Sequence, residues 1–520
     1  MRATFELDAP LFPDFLDLHA KWYPNKAAVI DEEKQLTWSE LHANANRVAN
    51  GLIALGVRPG DSVAVLMTNC VEYIEILYGL FKAGAIAVPL NTAVNDQGIV
   101  TMLEDAAAQV LFCCDEQASR MRNSGILPTV LATSLIEHKV GANVSQYWDW
   151  RDTHDVNFRP LHIAEDAPCN IIYSSGTTGL PKGIKHTHRR RVQAMYELAL
   201  AHRYHFGAIA ICPIGLYSNI AWASVFCSLI TGATCIIRKS FEPEQWIEDV
   251  SSFEVTHTMM APIMFQRILA APNFSPNLVA SLQAVISGGS PLFQSLKEHV
   301  IRDFGCAVIE LYGLTEGFMT TLQPEESEGK LTSVGKPVRG NDYILVDNDD
   351  RIVGFGGTGE ICTRSVHWMI EYHNRPDATA EIEFRDPDGL LWMRTGDIGR
   401  TDADGYLYIV DRKKDMILSG GQNIYPADIE AIMINHPEIS EVAVIGVTDD
   451  TWGETPVAVI APSRALHQTA LDELLEWTNQ RVGKRQKLST IVVREDMPRN
   501  PNGKVLKREL REWFEKGQPG

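Results

Sequence analysis

The chain has 520 residues and a mass of 57.9 kDa, too long for one core of ordinary size and enough for two or three lobes. Hydrophobic residues at 45% and charged residues at 22% give a globular composition and exclude a disordered chain. The formal net charge of −19 argues against a general nucleic-acid binder, which needs a basic footprint, but leaves small phosphate ligands open.

The start, MRATFELDAPLFPDF, carries acids where a signal peptide needs an uninterrupted apolar segment. The apolar stretches are broken by Pro, Gly, Asn or Ser well short of the ~20 residues of a membrane span. The 9 cysteines form no CxxC pair, which points to free thiols in a reducing compartment rather than a disulfide framework or zinc cluster. A cytoplasmic protein is expected, without a transmembrane segment.

Thr37–Leu55 has helical apolar spacing and stops at Gly56; Ser62–Met67 reads as a strand, Cys70–Ala83 as a helix closed by Gly84, and Ala85–Leu90 as a buried strand. Strand, long helix, strand is the signature of parallel βαβ units. The pattern recurs at Val110–Cys114, Asn170–Tyr173, Thr234–Arg238 and Ala284–Ser287. Beyond about residue 330, glycines at 335, 340, 354, 356, 357 and 359 alternate with short strands such as Tyr343–Val346 and Glu360–Thr363, predicting a smaller β-rich lobe. After the strand Gly405–Val410, the charged run Asp411–Asp415 breaks all periodicity. New signals come at Pro426–Asn435, Ser440–Val447 and Leu471–Val482. The expected division is therefore 1–410 and 411–520. The fold class is α/β: a large N-terminal domain of βαβ-type parallel sheets plus a β-rich lobe, then a small α+β domain.

The strongest local signal is YSSGTTGLPKG, Tyr173–Gly183, placed between an apolar strand and a region read as helical. Backbone N–H groups and hydroxyls in such a turn suit phosphate oxygens, and Lys182 adds positive charge. It is not a P-loop, because Pro181 stands where the second Gly belongs and Gly183 where Ser or Thr belongs. Glu316 lies in a Gly-flanked turn after the apolar strand Ala307–Leu311, where a carboxylate can hold Mg2+ against phosphates. Tyr312 offers a flat face for a base, and Asp397 in a Thr-Gly-Asp turn suits ribose hydroxyls. Lys185, His186, His188 and Arg189–Arg191 read as a solvated helix start, and neither histidine has a metal-ligand partner at suitable spacing.

Tyr173–Gly183 resembles the signature of the adenylate-forming superfamily of acyl-CoA synthetases, firefly-type luciferases and nonribosomal adenylation domains. Five further motifs resemble that family's in the same order: SGGSPL (Ser287–Leu292), LYGLTEG (Leu311–Gly317), RTGDIG (Arg394–Gly399), DRKKDMILSGGQNIYPADIE (Asp411–Glu430) and PRNPNGKVLKREL (Pro498–Leu510). The resemblance implies an AMP-forming carboxylic acid–CoA ligase using ATP, Mg2+ and CoA. By that likeness ATP contacts fall to Ser174, Ser175, Gly176, Thr177, Thr178, Gly179, Lys182, Ser287, Gly288, Gly289, Tyr312, Gly313, Thr315, Asp397 and Arg412. Glu316 and Thr178 would hold the metal, Lys504 would be the catalytic lysine, and Asp411 the hinge about which the C-terminal domain swings. Gly420 and Gly421 would face the pantetheine tunnel.

The acid pocket is expected in GLYSNIAW, with Tyr217, Asn219, Ile220 and Trp222 beside Gly288 and Gly313. That segment has no acid to hold an ammonium, so a hydrophobic acid (aromatic, alicyclic or medium-chain) is expected rather than an amino acid. The family often has His where Tyr217 stands. No fused carrier domain is seen, so free CoA is the expected acceptor. The alternatives are a free-standing enzyme that loads a carrier protein and a catalytically silent nucleotide-binding module. A homodimer remains open.

Overall fold

The computed structural model describes residues 10–122, 129–132, 144–174, 181–419, 422–449, 451–499 and 504–517. Helix Trp38–Ala54 begins with a reciprocal cap: Glu40 N donates to Thr37 Oγ1, and Thr37 N donates to Glu40 Oε2 at 2.8 Å. Ser62–Leu66, the helix Val71–Ala83 and Ile86–Pro89 form the expected βαβ unit. Gly84 ends the helix at φ 71°, a left-handed conformation that glycine adopts without strain. Every residue of Val71–Ala83 is buried, so this helix lies between layers.

Two large sheets flank that interior. In one, Ala307–Gly313, Ala284–Gly288, His257–Met260, Ile209–Cys212, Thr234–Ile237 and Ala27–Ile30 run parallel in that spatial order. In the other, Ser62–Leu66 is central, parallel to Ile86–Pro89 on one side and Val110–Cys113 on the other. A single apolar core joins them through Phe12, Trp38, Phe81, Trp222 and Phe226. The glycine-rich stretch forms the β-rich lobe, an antiparallel sheet of Asn341–Val346, Thr358–Ser365, Leu391–Thr401 and Leu407–Arg412. Beyond it comes a separate sheet built on Ile439–Asp449 and Gly453–Pro462, with the helices Pro426–Met433 and Gln468–Asn479 beside it and its own apolar core. All 9 cysteines are free thiols. Among the described residues no helix is long and apolar enough to cross a membrane.

One local expectation is corrected. The signature loop does not lead from a strand into a helix. Pro168–Ser174 is succeeded by an antiparallel strand, Lys182–Thr187, with Ser174 opposite Lys182, and the helix His188–Ala201 starts only afterwards. KGIKHT is too polar to announce a strand. It becomes one because it pairs on both edges, with Pro168–Ser174 and with Glu371–Tyr372.

Candidate active site

The carboxyl ends of the parallel strands meet the β-rich lobe, and Ser287, Gly288, Gly289, Tyr312, Asp397 and Arg412 lie at that junction. Ser287 and Gly288 end their strand opposite Glu310 and Leu311, which puts Gly289 beside Tyr312 on the neighbouring strand. The Tyr312 hydroxyl donates to Asp397 Oδ2 at 2.7 Å, and burial together with that carboxylate pushes the phenol pKa well above its usual value. Asp397 is the cross-strand partner of Arg412, whose Nε lies 2.8 Å from Oδ1. Buried Oδ1 has this ion pair but, among the described residues, no hydrogen bond. Thr395 Oγ1 shapes the turn by accepting from Asp397 N and donating to the Ile361 carbonyl. Among the described residues Ser287 Oγ likewise has no partner, and it is buried. An unmet buried carboxylate oxygen and an unmet hydroxyl are groups that a nucleoside's hydroxyls and base could satisfy.

Glu316 sits in the turn between Ala307–Gly313 and Met319–Leu322. Gly317 makes that turn possible: its φ is 120°, and a Cβ there would lie 2.3 Å from the His367 carbonyl oxygen. Glu316 Oε1 accepts from the Tyr372 hydroxyl at 2.7 Å, and no described residue donates to Oε2. Lys182 Nζ stands 4.8 Å from the Tyr372 ring centroid. Tyr372 thus links the strand after the signature loop to the acidic turn. Glu316, Tyr372, Thr395 and Gly396 line a cavity of about 250 Å3. Glu316 and that space fit a divalent cation bound to phosphates, one protein carboxylate being enough when the ligand supplies other oxygens. A larger cavity of about 410 Å3 by Arg238, Trp246 and Asp249 holds none of the expected residues, and its arginine is already paired with Asp249 at 2.7 Å.

Lys504 reaches the same junction from near the end of the chain. It is half-buried, and it feels Arg412, Asp397, Asp415 and Lys414. Burial first, then the Arg412 charge, pull its ammonium pKa down to about 8. Two ion pairs on its C-terminal side hold it there: Lys507 with Glu430 at 2.7 Å, and Arg511 with Asp415 at 3.0 Å. Asp411 accepts from Ala427 N at 3.0 Å, the first turn of helix Pro426–Met433, and burial raises its pKa.

The remaining expected residues lie in several places or outside the described residues. Ser174 and Thr315 flank the site, the Thr315 carbonyl lying 2.8 Å from His186 Nε2. Gly313 is exposed at its strand end. Ser175, Gly176, Thr177, Thr178, Gly179, Gly420 and Gly421 lie outside the described residues. Tyr217, Asn219 and Ile220 are half-buried, and the Ile220 Cδ1 atom lies 3.5 Å from where a Cβ on Gly288 would sit. Burial raises the Tyr217 phenol to about 12. Trp222 departs from its expected place: it is fully buried, its indole N–H donates to the Leu216 carbonyl at 2.7 Å, and its ring packs on Phe226 and Phe81. Helix Asn219–Ile230 turns that face into the core. The basic cluster is also corrected in part: His186, His188 and Arg191 are buried, whereas Arg189 is exposed and pairs with Asp166. Tyr372 and Arg191 carry no local signature in the sequence; the paired edge strand and the burial of an arginine became visible only in three dimensions.

Residues 16–373 match the AMP-binding enzyme family and residues 428–504 the AMP-binding enzyme C-terminal domain. The chain belongs to the AMP-binding enzyme family. Its fold, with parallel sheets in the large N-terminal part and a C-terminal domain, is that of the adenylate-forming enzymes, and its chemistry is that of an AMP-forming ligase. It is similar to a fatty acid–[acyl-carrier-protein] ligase of Streptomyces coeruleorubidus, at 32% identity over 95% of both chains. It is 33% identical to a long-chain-fatty-acid–CoA ligase of Mycobacterium tuberculosis, over 92% of this chain and 93% of the other. Among solved structures, the o-succinylbenzoate CoA synthetase of Bacillus subtilis with its acyl-adenylate superposes with a TM-score of 0.83 at 27% identity, covering 96% and 97%.

Proposed function

We propose that this family member is an AMP-forming carboxylic acid–CoA ligase acting on a hydrophobic acid, aromatic, alicyclic or medium-chain. The observation that carries this reading is the gathering of Lys504, Asp397, Tyr312 and Glu316 at one junction, with two buried oxygens still lacking donors or acceptors. The relatives named for fatty-acid substrates support the acid class.

In the first half-reaction a carboxylate oxygen of the acid bonds to the α-phosphorus of ATP. The bond from that phosphorus to the bridging oxygen breaks, and pyrophosphate leaves with the electron pair. The protein's part is positioning and charge neutralisation. Asp397 and Tyr312 hold the ribose and base, Ser287 donates to the adenine, and Lys182 and Lys504 place positive charge on the phosphates and the incoming carboxylate. Glu316, oriented by the Tyr372 hydroxyl, would hold Mg2+, which supplies further charge neutralisation when bound. In the second half-reaction the CoA thiol adds to the acyl carbon, AMP leaves, and the thiol proton passes to solvent. Lys504 then has to vacate the junction, and Asp411 is the proposed pivot for residues 411–520.

A panel of acids assayed for pyrophosphate release with ATP and Mg2+, and for AMP formation on adding CoA, tests the reading. Release without any CoA-dependent thioester would refute the acceptor assignment. A second reading, transfer to a carrier protein, is favoured by the similarity to the acyl-carrier-protein ligase. Faster turnover with a phosphopantetheinylated carrier than with CoA would establish it.

A further inference from the structure

Arg191, on helix His188–Ala201, is 3% exposed, yet among the described residues no carboxylate pairs with it. Elsewhere this chain buries guanidinium groups against acids: Arg238 against Asp249 at 2.7 Å, and Arg151 against Glu75 at 2.9 Å. Around Arg191 the titratable neighbours are His186, His367, Cys169 and Cys227, none of which supplies negative charge near neutral pH. Its own pKa, lowered by burial to about 10, keeps it cationic. Its guanidinium carbon lies 5.2 Å from the Trp222 ring centroid, and Nε and Nη2 are buried without a partner. An uncompensated buried cation is strongly unfavourable unless something else answers its charge.

The one hydrogen bond it makes among the described residues indicates where the answer lies. Arg191 Nη1 donates to Asn219 Oδ1 at 2.7 Å. A guanidinium has only donors, so the amide oxygen must face it and the Asn219 –NH2 group must face away. No described residue accepts from that –NH2, and it is not among the buried unpartnered atoms. Asn219 is half-buried at the start of its helix, and Ile220 beside it approaches Gly288. The –NH2 group is therefore the accessible end of the pair, at the start of the helix whose next residue, Ile220, reaches Gly288, and its N–H bonds are polarised by the cation behind it.

We propose that Arg191 and Asn219 form a specificity determinant: Arg191 positions and polarises the Asn219 amide, which donates to an oxygen acceptor in the acyl part of the substrate. The inference rests on the ligase reading and narrows it. The acid is hydrophobic but carries, beyond the reacting carboxylate, a carbonyl oxygen or a second carboxylate. The same uncompensated cation disfavours an ammonium, which agrees with the lack of an acid in Gly215–Trp222.

The test compares acids of one skeleton, hexanoate, oxohexanoate and adipate, with a matching aromatic pair, phenylpropanoate and carboxyphenylpropanoate. The full chain is assayed by pyrophosphate release. The wild type is expected to favour an oxygenated member over its plain partner in kcat/KM by on the order of 10- to 100-fold, the range for a hydrogen bond with charge behind it. The oxohexanoate and adipate arms distinguish a carbonyl acceptor from an anionic one. Asn219→Ala and Arg191→Met should each collapse the ratio, and Arg191→Lys should restore part of it. Asn219→Asp, at a half-exposed position where the fold is not at stake, presents an acceptor instead and should invert the ratio. A wild-type preference for the plain acids, or a loss of kcat/KM shared equally by both members in every variant, overturns the proposal. Pyrophosphate release with none of the acids in a broad panel overturns the ligase reading itself and is a different result.

Discussion

The lowered pKa of Lys504 makes the two half-reactions respond differently to alkali. An ordinary lysine is protonated to about 10.5, but burial and the Arg412 charge bring this one to about 8. The sign is direct: the cation is fully present below about pH 7 and is lost as pH rises through 8. At about pH 9 roughly one Lys504 in ten stays protonated, so kcat/KM for adenylate formation, which reports the free enzyme, should fall about tenfold. Thioester formation from supplied acyl-adenylate does not use Lys504 and should lack this limb. Lys504→Arg, whose charge persists across the range, should flatten the alkaline limb at reduced rate. Lys504→Ala should lower adenylate formation by about 100- to 1000-fold below about pH 7, with the gap to wild type narrowing as pH rises, while sparing the thioester step. Pyrophosphate exchange and single-turnover thioester assays from about pH 6.5 to 9.5 measure the two. An alkaline limb that survives in Lys504→Arg, or that appears equally in both half-reactions, would refute the reasoning.

Three further outcomes are expected. Trp222→Ala should cost about 3–5 kcal/mol of stability and leave the size ranking of apolar acids unchanged, since the indole fills core and its N–H serves the Leu216 carbonyl; a shift towards bulkier acids would return Trp222 to the pocket. Tyr372→Phe should raise the Mg2+ concentration needed for half-maximal adenylate formation by roughly tenfold, because Glu316 loses its 2.7 Å donor; an unchanged Mg2+ titration would show that Tyr372 only packs. Asp411→Pro fixes φ near −65°, leaves the Ala427 N–H without its Asp411 acceptor, and should stall one half-reaction while the other persists; wild-type overall turnover would place the pivot elsewhere.

How far the site was legible beforehand depended on range. Periodicity is a local property, and helices such as Val71–Ala83 and strands such as Ala284–Gly288 emerged within a residue or two of where apolar spacing put them. Asp397, Tyr312 and Glu316 lie in short motifs whose chemistry is readable in a few residues. What escaped depended on distant partners. Lys182–Thr187 is a strand only because two other segments pair with it, and Tyr372 matters because that pairing carries its ring to Lys182 and its hydroxyl to Glu316. Arg189, Arg190 and Arg191 are identical in one dimension, yet one is exposed, one donates to the carbonyls of Trp368 and Met369, and one is buried. Trp222 shows the same limit, since a segment can border a pocket while one face of its helix points inward.

The register of Arg412 bears on the order in which products depart. Arg412 comes just after the proposed pivot residue, yet it is still laddered into the antiparallel lobe opposite Asp397, with Ile398 opposite Asp411. A rotation about Asp411 carries Lys504 away but leaves Asp397 and Tyr312, which precede the pivot, where they are. AMP formed in the first step would keep its ribose contacts while the thiol arrives, so it should be the product retained through the swing rather than one exchanged during it. Pyrophosphate, held from the side that Lys504 abandons, would lose a partner at that moment. The swing would then act as a valve, expelling the first product, committing the acyl-adenylate to the thiol and keeping the reverse reaction from competing.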